Sequence, residues 1–461
     1  MRIKEISVTG LFGTYNHTIP LAYDDHVTIV HGPNGVGKTM MLKMIASLVE
    51  GRLAVFERVP FLEFKARLDD GSEVLVKRRH DEFTSDEGRT SKVEIVIRDG
   101  PNSAASSVNV NSPTEIPKHV LDTMDQEVPS PFSRSGNGWL NRSTGQKYSV
   151  DQIIDKFPTA AEFLPKKYRT VPLKVFAGLE VFFVETKRLE AENSIRRNEI
   201  RDDFFFNEDS SNGNIQLRVE QYSRDIVQRI KAAVGDYAKN SQESDRTFPE
   251  RLVRFVRQGN ESLPEKVILE LMVELEEKRK RLISLGFLDS ETGLEGLNES
   301  DVKKVGEALT IYIKDVQLKL SVFDDLADRV GQLIDIVNHR FKNKTLKLHR
   351  ETGFSLESSI GEEVNLEDLS SGEQHELVLL YELLFRAPKN GLVLVDEPEI
   401  SLHVAWQSRF LEDLMGILKL TKSYSIVATH SPVIIGPRWD ITTELSSVDS
   451  LPDTEAIKSK E

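Results

Sequence analysis

The sequence predicts an α/β fold in which a phosphate-binding core, with an antiparallel β subdomain, is interrupted by a long helical insertion. Three observations predict this class. A glycine-rich loop at residues 32–39 lies between a short apolar strand and a helix. A second apolar strand, far along the chain, ends in Asp396 and Glu397. Between these two features, residues 190–347 are charged, have helical apolar spacing and contain few turn signals.

The composition limits the class of protein. The 461 residues contain no cysteine, which excludes disulfide frameworks, thiolate metal sites and cysteine nucleophiles. A net charge of −14 argues against a protein that coats nucleic acid with a basic surface, although a local basic groove stays open. No apolar run approaches the roughly 18–20 residues that span a bilayer, and the start lacks a signal-peptide core. We therefore expect a soluble, cytoplasmic protein without a membrane partner.

The first elements predict one half of the core. Ile3, Ile6 and Val8 alternate with other residues, as in a half-buried strand. Residues 26–31 form a short apolar strand that leads into the glycine-rich loop. Residues 38–49 carry apolar side chains on one side, which predicts a helix directly after the loop.

The next segments predict the antiparallel β subdomain. Residues 61–68 and 73–78 flank an Asp-Asp-Gly-Ser sequence, which is typical of the turn in a β-hairpin. Residues 92–98 are expected to be a third strand of this set. Residues 100–131 are rich in Ser, Asn and Pro, and we expect a surface loop there.

The insertion has the pattern of a long amphipathic helix. Apolar residues from Val302 to Phe341 keep mostly three-four spacing, with one irregular heptad step near Lys319 and Leu320, which predicts a long helix with a narrow apolar seam. Residues 268–285 are expected to be its antiparallel partner. Two interpretations stay open, a protruding coiled-coil hairpin and a helical bundle that packs on the core.

These patterns divide the chain into four segments. The α/β character returns after residue 348, with apolar strands at residues 391–395 and 425–428. The predicted segments are the N-terminal half of the core at 1–189, the insertion at 190–347, the C-terminal half of the core at 348–440, and a frayed polar tail at 441–461.

The glycine-rich loop matches G-x-x-x-x-G-K-[ST] without a gap. Its glycines let backbone N–H groups turn inward to phosphate oxygens, and the N-terminus of the following helix adds positive partial charge. We expect Lys38 to reach the β- and γ-phosphates and Thr39 to ligate Mg²⁺. The candidate nucleotide-binding residues of this loop are Gly32, Pro33, Asn34, Gly35, Val36, Gly37, Lys38 and Thr39.

The acidic strand supplies the candidate metal ligand and base. The apolar residues 392–395 precede Asp396 and Glu397, and Pro398 ends the strand. A strand that ends in acids is a weak signal alone, but it complements the phosphate-binding loop. We expect Asp396 in the Mg²⁺ shell and Glu397 beside the attacking water as the catalytic base.

Two further segments complete the candidate site. The sequence Leu-Ser-Ser-Gly-Glu-Gln at residues 369–374 predicts a helix start whose free N–H groups can bind a γ-phosphate. His430, after the next strand, can contact the same phosphate as a second catalytic residue. The alternatives are a plain helix cap for Ser370 and a satisfied core histidine for His430. The candidate residues of the helix start are Ser370, Ser371, Gly372 and Glu373.

These four motifs resemble those of the ABC ATPase superfamily, in the branch of the SMC and RecF proteins and the overcoming-lysogenization-defect nucleases. Residues 369–374 resemble the signature motif, and His430 resembles the switch histidine. Residues 396–403 resemble the branch's DEPE-x-x-LH sequence. The resemblance covers roughly residues 1–190 and 345–440. It implies an ABC-type P-loop ATPase core with a mixed sheet, ATP and Mg²⁺ as cofactors, and a homo-oligomer with shared sites.

The chain departs from this resemblance in two ways. Lys187 stands where many relatives carry a glutamine that contacts Mg²⁺ and water, and Glu185 is one candidate substitute. The segment after His430 is polar and lacks the acidic triad of a Toprim nuclease domain. We therefore expect any nuclease to act in trans, of the Toprim type or, as a second choice, of the HNH type.

The resemblance leaves two functional hypotheses. The chain is similar to ATPase subunits of bacterial anti-phage defence systems, with the PARIS type first and the Septu type second. This implies a sensor or scaffold that holds a toxic nuclease until a phage-encoded trigger appears. The alternative is a RecF- or SMC-like repair ATPase that acts directly on DNA, so nucleic-acid binding stays open. The length of the insertion argues against a transporter motor.

Overall fold

A computed structural model gives the structure of residues 2–79, 92–100, 106–110, 118–128, 130–136, 138–142, 145–148, 150, 153, 173–185, 212–289, 299–400 and 402–445. The strands are β1 (Ile3–Leu11), β2 (Tyr15–Pro20), β3 (Val27–His31), β4 (Glu63–Leu68), β5 (Glu73–Arg79), β6 (Lys92–Arg98), β7 (Ser106–Val110), β8 (Phe132–Ser135), β9 (Gly138–Asn141), β10 (Lys147–Tyr148), β11 (Val181–Glu185), β12 (Lys344–His349), β13 (Gly353–Ser358), β14 (Glu363–Val364), β15 (Leu392–Asp396), β16 (Tyr424–Ala428) and β17 (Thr442–Glu444).

The α-helices are α1 (Lys38–Glu50), α2 (Ala54–Arg58), α3 (Lys118–Glu127), α4 (Asn212–Arg257), α5 (Glu265–Ser284), α6 (Glu299–Ser321), α7 (Asp324–Arg340), α8 (Ser371–Tyr381), α9 (Val404–Thr421) and α10 (Pro432–Ile435). Short 3-10 helices lie at Lys174–Phe176, Leu366–Asp368, Pro398–Ile400 and Trp439–Ile441, and a π-helix at Glu382–Arg386.

The chain forms two compact units, one of residues 1–211 and 386–461, the other of residues 212–385. The first unit contains the glycine-rich loop and the acidic strand. The second contains the helices of the predicted insertion and also residues 348–385, which the sequence pattern assigned to the core. The predicted α/β class with a helical insertion is confirmed.

A parallel sheet forms the centre of the first unit. Its strand order is β11-β15-β16-β3-β17, and every pair of neighbours among these described strands is parallel. Helix α1 packs against β11, β15 and β16 through its buried apolar side. Because parallel strands place their carboxyl ends at one edge, the residues that follow β3, β15 and β16 come together there.

The predicted antiparallel subdomain is present in the same unit. Its sheet has the strand order β2-β1-β4-β5-β6-β7, and its described pairs are antiparallel. The predicted hairpin joins β4 and β5, and the Leu68 N–H closes it on the carbonyl oxygen of Ser72 at 2.9 Å. The predicted third strand is β6.

The expectation of a surface loop at residues 100–131 is wrong for the residues that the structure describes. They include strand β7 and helix α3. The helix buries Leu121 and Met124 against Trp139 of strand β9, whose indole N–H donates to Asp125 at 2.6 Å. The polar composition concealed α3 because only one narrow face of this short helix is apolar.

The expectation of a frayed tail at residues 441–461 is also wrong at its start. Strand β17 pairs with β3, and the Leu445 N–H donates to the carbonyl oxygen of His31 at 2.8 Å. Leu445 is buried, which stabilises this edge strand. Residues 446–461 lie outside the described part of the chain.

The second unit contains a long helix, α4, that the sequence pattern did not single out. It packs against α6 with opposite direction, since Arg251 pairs with Asp315 at 2.6 Å and Asp245 pairs with Lys319 at 2.8 Å. As the residue number rises along α4, the residue number of its partner in α6 therefore falls, so the two helices are antiparallel. Coiled-coil packing of these helices stays a prediction.

The predicted antiparallel pairing of residues 268–285 is wrong. Leu263, directly before α5, donates its N–H to the hydroxyl of Thr310 in α6 at 3.0 Å, and Arg281 near the end of α5 pairs with Asp328 in α7 at 2.8 Å. The residue numbers of the partners therefore rise together along the two segments, so α5 runs parallel to α6 and α7. An apolar seam carries no information on helix direction. The helix that runs antiparallel to α6 is α4 and not α5.

The predicted single helix from Val302 to Phe341 is two helices. It breaks before α7, where the buried Phe323 packs against Tyr237 and Phe287. Asp324 and Asp325 then fill the first turn of α7, where negative charge is favourable. Val305, a predicted seam residue, has a non-helical backbone and is 47% exposed.

No helix within the described ranges is both long and apolar enough to cross a membrane.

Candidate nucleotide-binding site

The glycine-rich loop lies where the sequence predicts it, between β3 and α1. Gly37 has φ +99°, a backbone conformation that favours glycine. A Cβ at this position would lie 2.5 Å from Cδ2 of Leu11, so a side chain would also collide with strand β1. The loop therefore requires glycine at Gly37 for both backbone and packing reasons.

Lys38 is the buried cation of the site. Its Nζ donates to the carbonyl oxygens of Gly32 at 2.9 Å and Pro33 at 3.0 Å, and lies 3.3 Å from Nδ1 of His430. Burial lowers the pKa of Lys38 below its ordinary value, although nearby carboxylates, first that of Glu397, raise it. The ammonium is thus held beside the loop, where it can donate to a phosphate oxygen in a charge-assisted hydrogen bond.

Thr39 and Asp396 face each other across the same edge of the sheet. The Thr39 hydroxyl donates to Oδ1 of Asp396 at 3.1 Å, and Asp396 is buried at the end of β15. A hydroxyl and a carboxylate are the hard oxygen ligands that Mg²⁺ prefers. These two predicted metal ligands, which are distant in sequence, are adjacent in the structure.

Glu397 follows directly and has an unusual backbone. Its φ is +47°, which is uncommon for a residue with a side chain. Its N–H donates to the carbonyl oxygen of Ala428 at 2.8 Å, and its carboxylate lies 3.5 Å from Nε2 of His430. Strained backbone of this kind clusters at functional sites.

His430 is not the satisfied core histidine of the alternative interpretation. Its side chain is 31% exposed, and its ring lies between Lys38 and Glu397. The three side chains therefore form one polar group at the carboxyl edge of the sheet.

The sequence pattern missed Glu399 and Thr429. The Glu399 carboxylate accepts from the Thr429 hydroxyl at 2.9 Å and from the backbone N–H of His430 at 2.6 Å. Glu399 lies in the DEPE-like sequence at residues 396–403, so the resemblance pointed to this acid. Nothing in the sequence pattern indicated that Thr429 is its partner.

His17 of β2 also supports the loop and was missed. Its Nε2 lies 2.8 Å from the carbonyl oxygen of Val36, so the ring donates at this nitrogen. Burial lowers the pKa of His17, which keeps the imidazole neutral, although the hydrogen bond to Val36 opposes this. A lone histidine in a strand gives no sequence signal for this role.

The predicted signature residues lie in the second unit, at the start of α8. Ser370 is the N-cap in a capping box with Glu373, so the plain cap that was the alternative interpretation is present. Lys344 pairs with the Glu373 carboxylate at 2.9 Å. Burial raises the pKa of Glu373, but this ion pair and the Ser370 hydrogen bonds lower it overall. Ser371 and Gly372 form the first turn of the helix.

The region of the expected glutamine is only partly visible. Glu185 ends β11 in register with Asp396, so its backbone lies at the site edge. Lys187 lies outside the described residues. Among described side chains, no group of three or more His, Cys, Asp or Glu residues could hold a metal ion by itself.

A family model described as "AAA domain, putative AbiEii toxin, Type IV TA system" matches residues 173–436, more than half of the chain. The chain belongs to this family. The match to this AAA-domain family includes β11, the acidic strand, the α8 start and His430. The P-loop at residues 32–39 precedes it in the sequence, and the fold joins both parts in one sheet.

The AAA-domain chain is also similar to protein ea59 of Escherichia phage lambda, at 39% identity over 67 residues. That stretch spans 14% of this chain and only 13% of ea59. Among solved structures, it is similar to the Smc head domain of Pyrococcus furiosus, with a TM-score of 0.34 and 16% identity over 97% of this chain and 94% of that one. The SMC head domain of Thermotoga maritima gives a TM-score of 0.32 and 11% identity, over 97% and 96%.

Proposed function

We propose that this AAA-domain protein binds and hydrolyses ATP at the carboxyl edge of its parallel sheet. The observation that carries the proposal is the meeting of Lys38, Thr39, Asp396, Glu397 and His430 at that edge. Lys38 and Thr39 begin α1 after the loop that follows β3, Asp396 and Glu397 lie at the end of β15, and His430 follows β16. A nucleoside triphosphate with Mg²⁺ is the ligand whose charge and oxygen atoms match these five side chains.

Thr39 and Asp396 fit a Mg²⁺ ion shared with the nucleotide. Their oxygens are already 3.1 Å apart, and the ion would take its other ligands from phosphate oxygens and water. When bound, the ion neutralises charge on the β- and γ-phosphate oxygens. Lys38 holds the same phosphates from the loop side.

Glu397 is the proposed general base. It must lie beyond the γ-phosphate and accept a proton from the attacking water. His430 lies between Glu397 and Lys38, so it can contact the γ-phosphate oxygen nearest to both. Steady-state ATP turnover by the purified chain, with and without Mg²⁺, tests this function directly.

The proposed ATP sites are shared between two protomers. In the ABC ATPases that the motifs resemble, the signature helix faces away from its own P-loop. Ser371 and Gly372 at the start of α8 would then contact the γ-phosphate on a second copy through free N–H groups.

Mixing inactive subunits tests this sharing. Lys38→Ala and Ser371→Arg chains should each be inactive alone, because every site of either homodimer is damaged. In a mixed dimer one site is intact. If sites work independently, random mixing should restore about a quarter of wild-type turnover, since half of the dimers are mixed and each keeps one of two sites.

The matched control places both substitutions in one chain and mixes it with wild type. Those mixed dimers have no intact shared site. Tandem purification through two tags verifies the mixed dimers in both experiments. The mixed dimers of Lys38→Ala and Ser371→Arg chains should regain turnover, whereas the control dimers should stay inactive. Complete inactivity of the verified Lys38→Ala/Ser371→Arg dimers would argue against sharing in trans.

The finer part of the proposal is a defence role, with the chain as a sensor or scaffold for a toxic nuclease. Its support is the description of the matching family, which names a toxin and a toxin–antitoxin system. The net charge of −14 favours this role over direct coating of DNA. A RecF- or SMC-like activity instead requires ATP-dependent binding of DNA by the chain alone.

The purified chain should hydrolyse ATP without cutting DNA, RNA or tRNA in Mg²⁺ or Mn²⁺. The reason is that nucleases of the expected type need clustered carboxylates beyond those used for ATP. Gel assays with each substrate measure cleavage. Metal-dependent cleavage that disappears after a substitution within the chain would overturn the scaffold role.

A further inference from the structure

The loop after β16 is held by the side chain of Glu399. Thr429, which is fully buried, donates its hydroxyl to both carboxylate oxygens of Glu399 at 2.9 Å. The N–H of His430 donates to Oε1 of the same carboxylate at 2.6 Å. The acid therefore holds the backbone on the N-terminal side of the His430 Cα.

A second contact ties the same two segments together. Gln407 of α9 donates to the carbonyl oxygens of Glu399 at 3.2 Å and Leu402 at 3.3 Å. Its Oε1 accepts from the Ser431 hydroxyl at 3.0 Å. The loop of residues 429–431 is thus attached at each of its residues to the segment that follows the acidic strand.

This attachment determines where the His430 ring lies. The ring lies 3.3 Å from Nζ of Lys38 and 3.5 Å from the carboxylate of Glu397. A shift of the loop by about 1 Å would break both contacts. We propose that Glu399 is a positioning residue, which holds the loop so that His430 faces the γ-phosphate site. This inference rests on the proposed ATP hydrolysis and goes beyond it by assigning a new residue.

The contacts separate Glu399 from the role of general base. Both of its oxygens accept from the loop, whereas the carboxylate of Glu397 faces the ring of His430. A positioning acid needs acceptor oxygens and not a negative charge. A general base needs a proton-accepting carboxylate, which an amide cannot replace.

Two substitutions distinguish these roles. Glu399→Gln keeps an acceptor for Thr429 and His430, so kcat should stay within about threefold of wild type. Glu399→Ala removes the acceptors and should lower kcat about 10- to 100-fold, the range for residues that orient a catalytic group. The Kd for ATP, measured by calorimetry, should change less than threefold in both variants, because Lys38 is untouched.

A double substitution tests whether Glu399 acts through His430. Glu399→Ala combined with His430→Ala should lower kcat no further than His430→Ala alone, because the positioned ring is already absent. Thr429→Ser keeps the hydroxyl and should retain most activity, whereas Thr429→Val should lower kcat as Glu399→Ala does. Glu412→Ala, an exposed acid of α9, is the control for charge loss.

Failure of the positioning role and failure of the proposed ATPase function give different experimental results. Equal, large decreases of kcat in Glu399→Gln and Glu399→Ala would overturn the positioning role and favour general-base chemistry. A double variant whose decrease in kcat is the product of the two single decreases would do the same. Wild-type kcat in a folded Glu399→Ala variant would overturn it as well. A wild-type chain that binds no ATP would overturn the proposed function itself, and this inference with it.

Discussion

Lys38→Ala should lose ATP binding, and every activity that depends on it. The ammonium is buried beside the carbonyl oxygens of Gly32 and Pro33, so it is a positive charge fixed within the loop. Removing one partner of a buried charge pair costs about 2–5 kcal/mol. Calorimetry should therefore show ATP affinity reduced by about 30-fold to several thousand-fold.

Lys419→Ala is the matched control for this result. Lys419 is an exposed lysine in the last turn of α9, and its loss changes the net charge by the same amount. Its ATP affinity should match wild type. Unchanged ATP affinity in Lys38→Ala, with the thermal unfolding of wild type, would refute the assignment of the phosphate-binding loop.

Glu397→Gln should bind ATP but hydrolyse it slowly. The amide keeps the size of the side chain and loses the proton acceptor, and the loss of a general base typically costs about 10²- to 10⁴-fold in rate. Because Lys38, Thr39 and Asp396 are unchanged, the variant should accumulate with ATP bound. Turnover by phosphate release and retention of labelled ATP measure the two effects.

Glu412→Gln is the control, since it makes the same chemical change at an exposed position of α9. Its turnover should equal that of wild type. If Glu397→Gln also turned over within about twofold of wild type, Glu397 would not be the base. The comparison of Glu399→Gln with Glu399→Ala then shows whether the neighbouring acid serves instead.

Residues of the candidate site could be predicted where their chemical role requires a short, recognisable sequence pattern. A glycine loop before a helix, and acids after an apolar strand, each follow from short-range rules, so Lys38, Thr39, Asp396 and Glu397 were found. Glu399 and Thr429 were not, because their pairing joins two loops 30 residues apart. His17 supports the loop from a different sheet, and no local rule indicates such a contact.

The helices show the same limit. Apolar spacing predicted helical structure from Val302 to Phe341, and the charged composition predicted an insertion. Spacing gave an irregular heptad step near Lys319 and Leu320 but did not predict the break at Phe323, where burial of the aromatic ring competes with helix continuation. It also gave α5 the wrong direction, as the contacts of Leu263 with Thr310 and of Arg281 with Asp328 show.

The sequence by itself determined the α/β class, the succession of strand, glycine-rich loop and helix at residues 26–49, and the chemical identity of the candidate phosphate-binding residues. These depend on interactions between near neighbours in the chain, such as strand alternation and the glycine loop. Only the tertiary structure decided that the carboxyl ends of β3, β15 and β16 meet, which sets Asp396 3.1 Å from Thr39 and His430 between Lys38 and Glu397. Such contacts depend on strand order and side-chain packing across hundreds of residues, and local propensity contains no record of either.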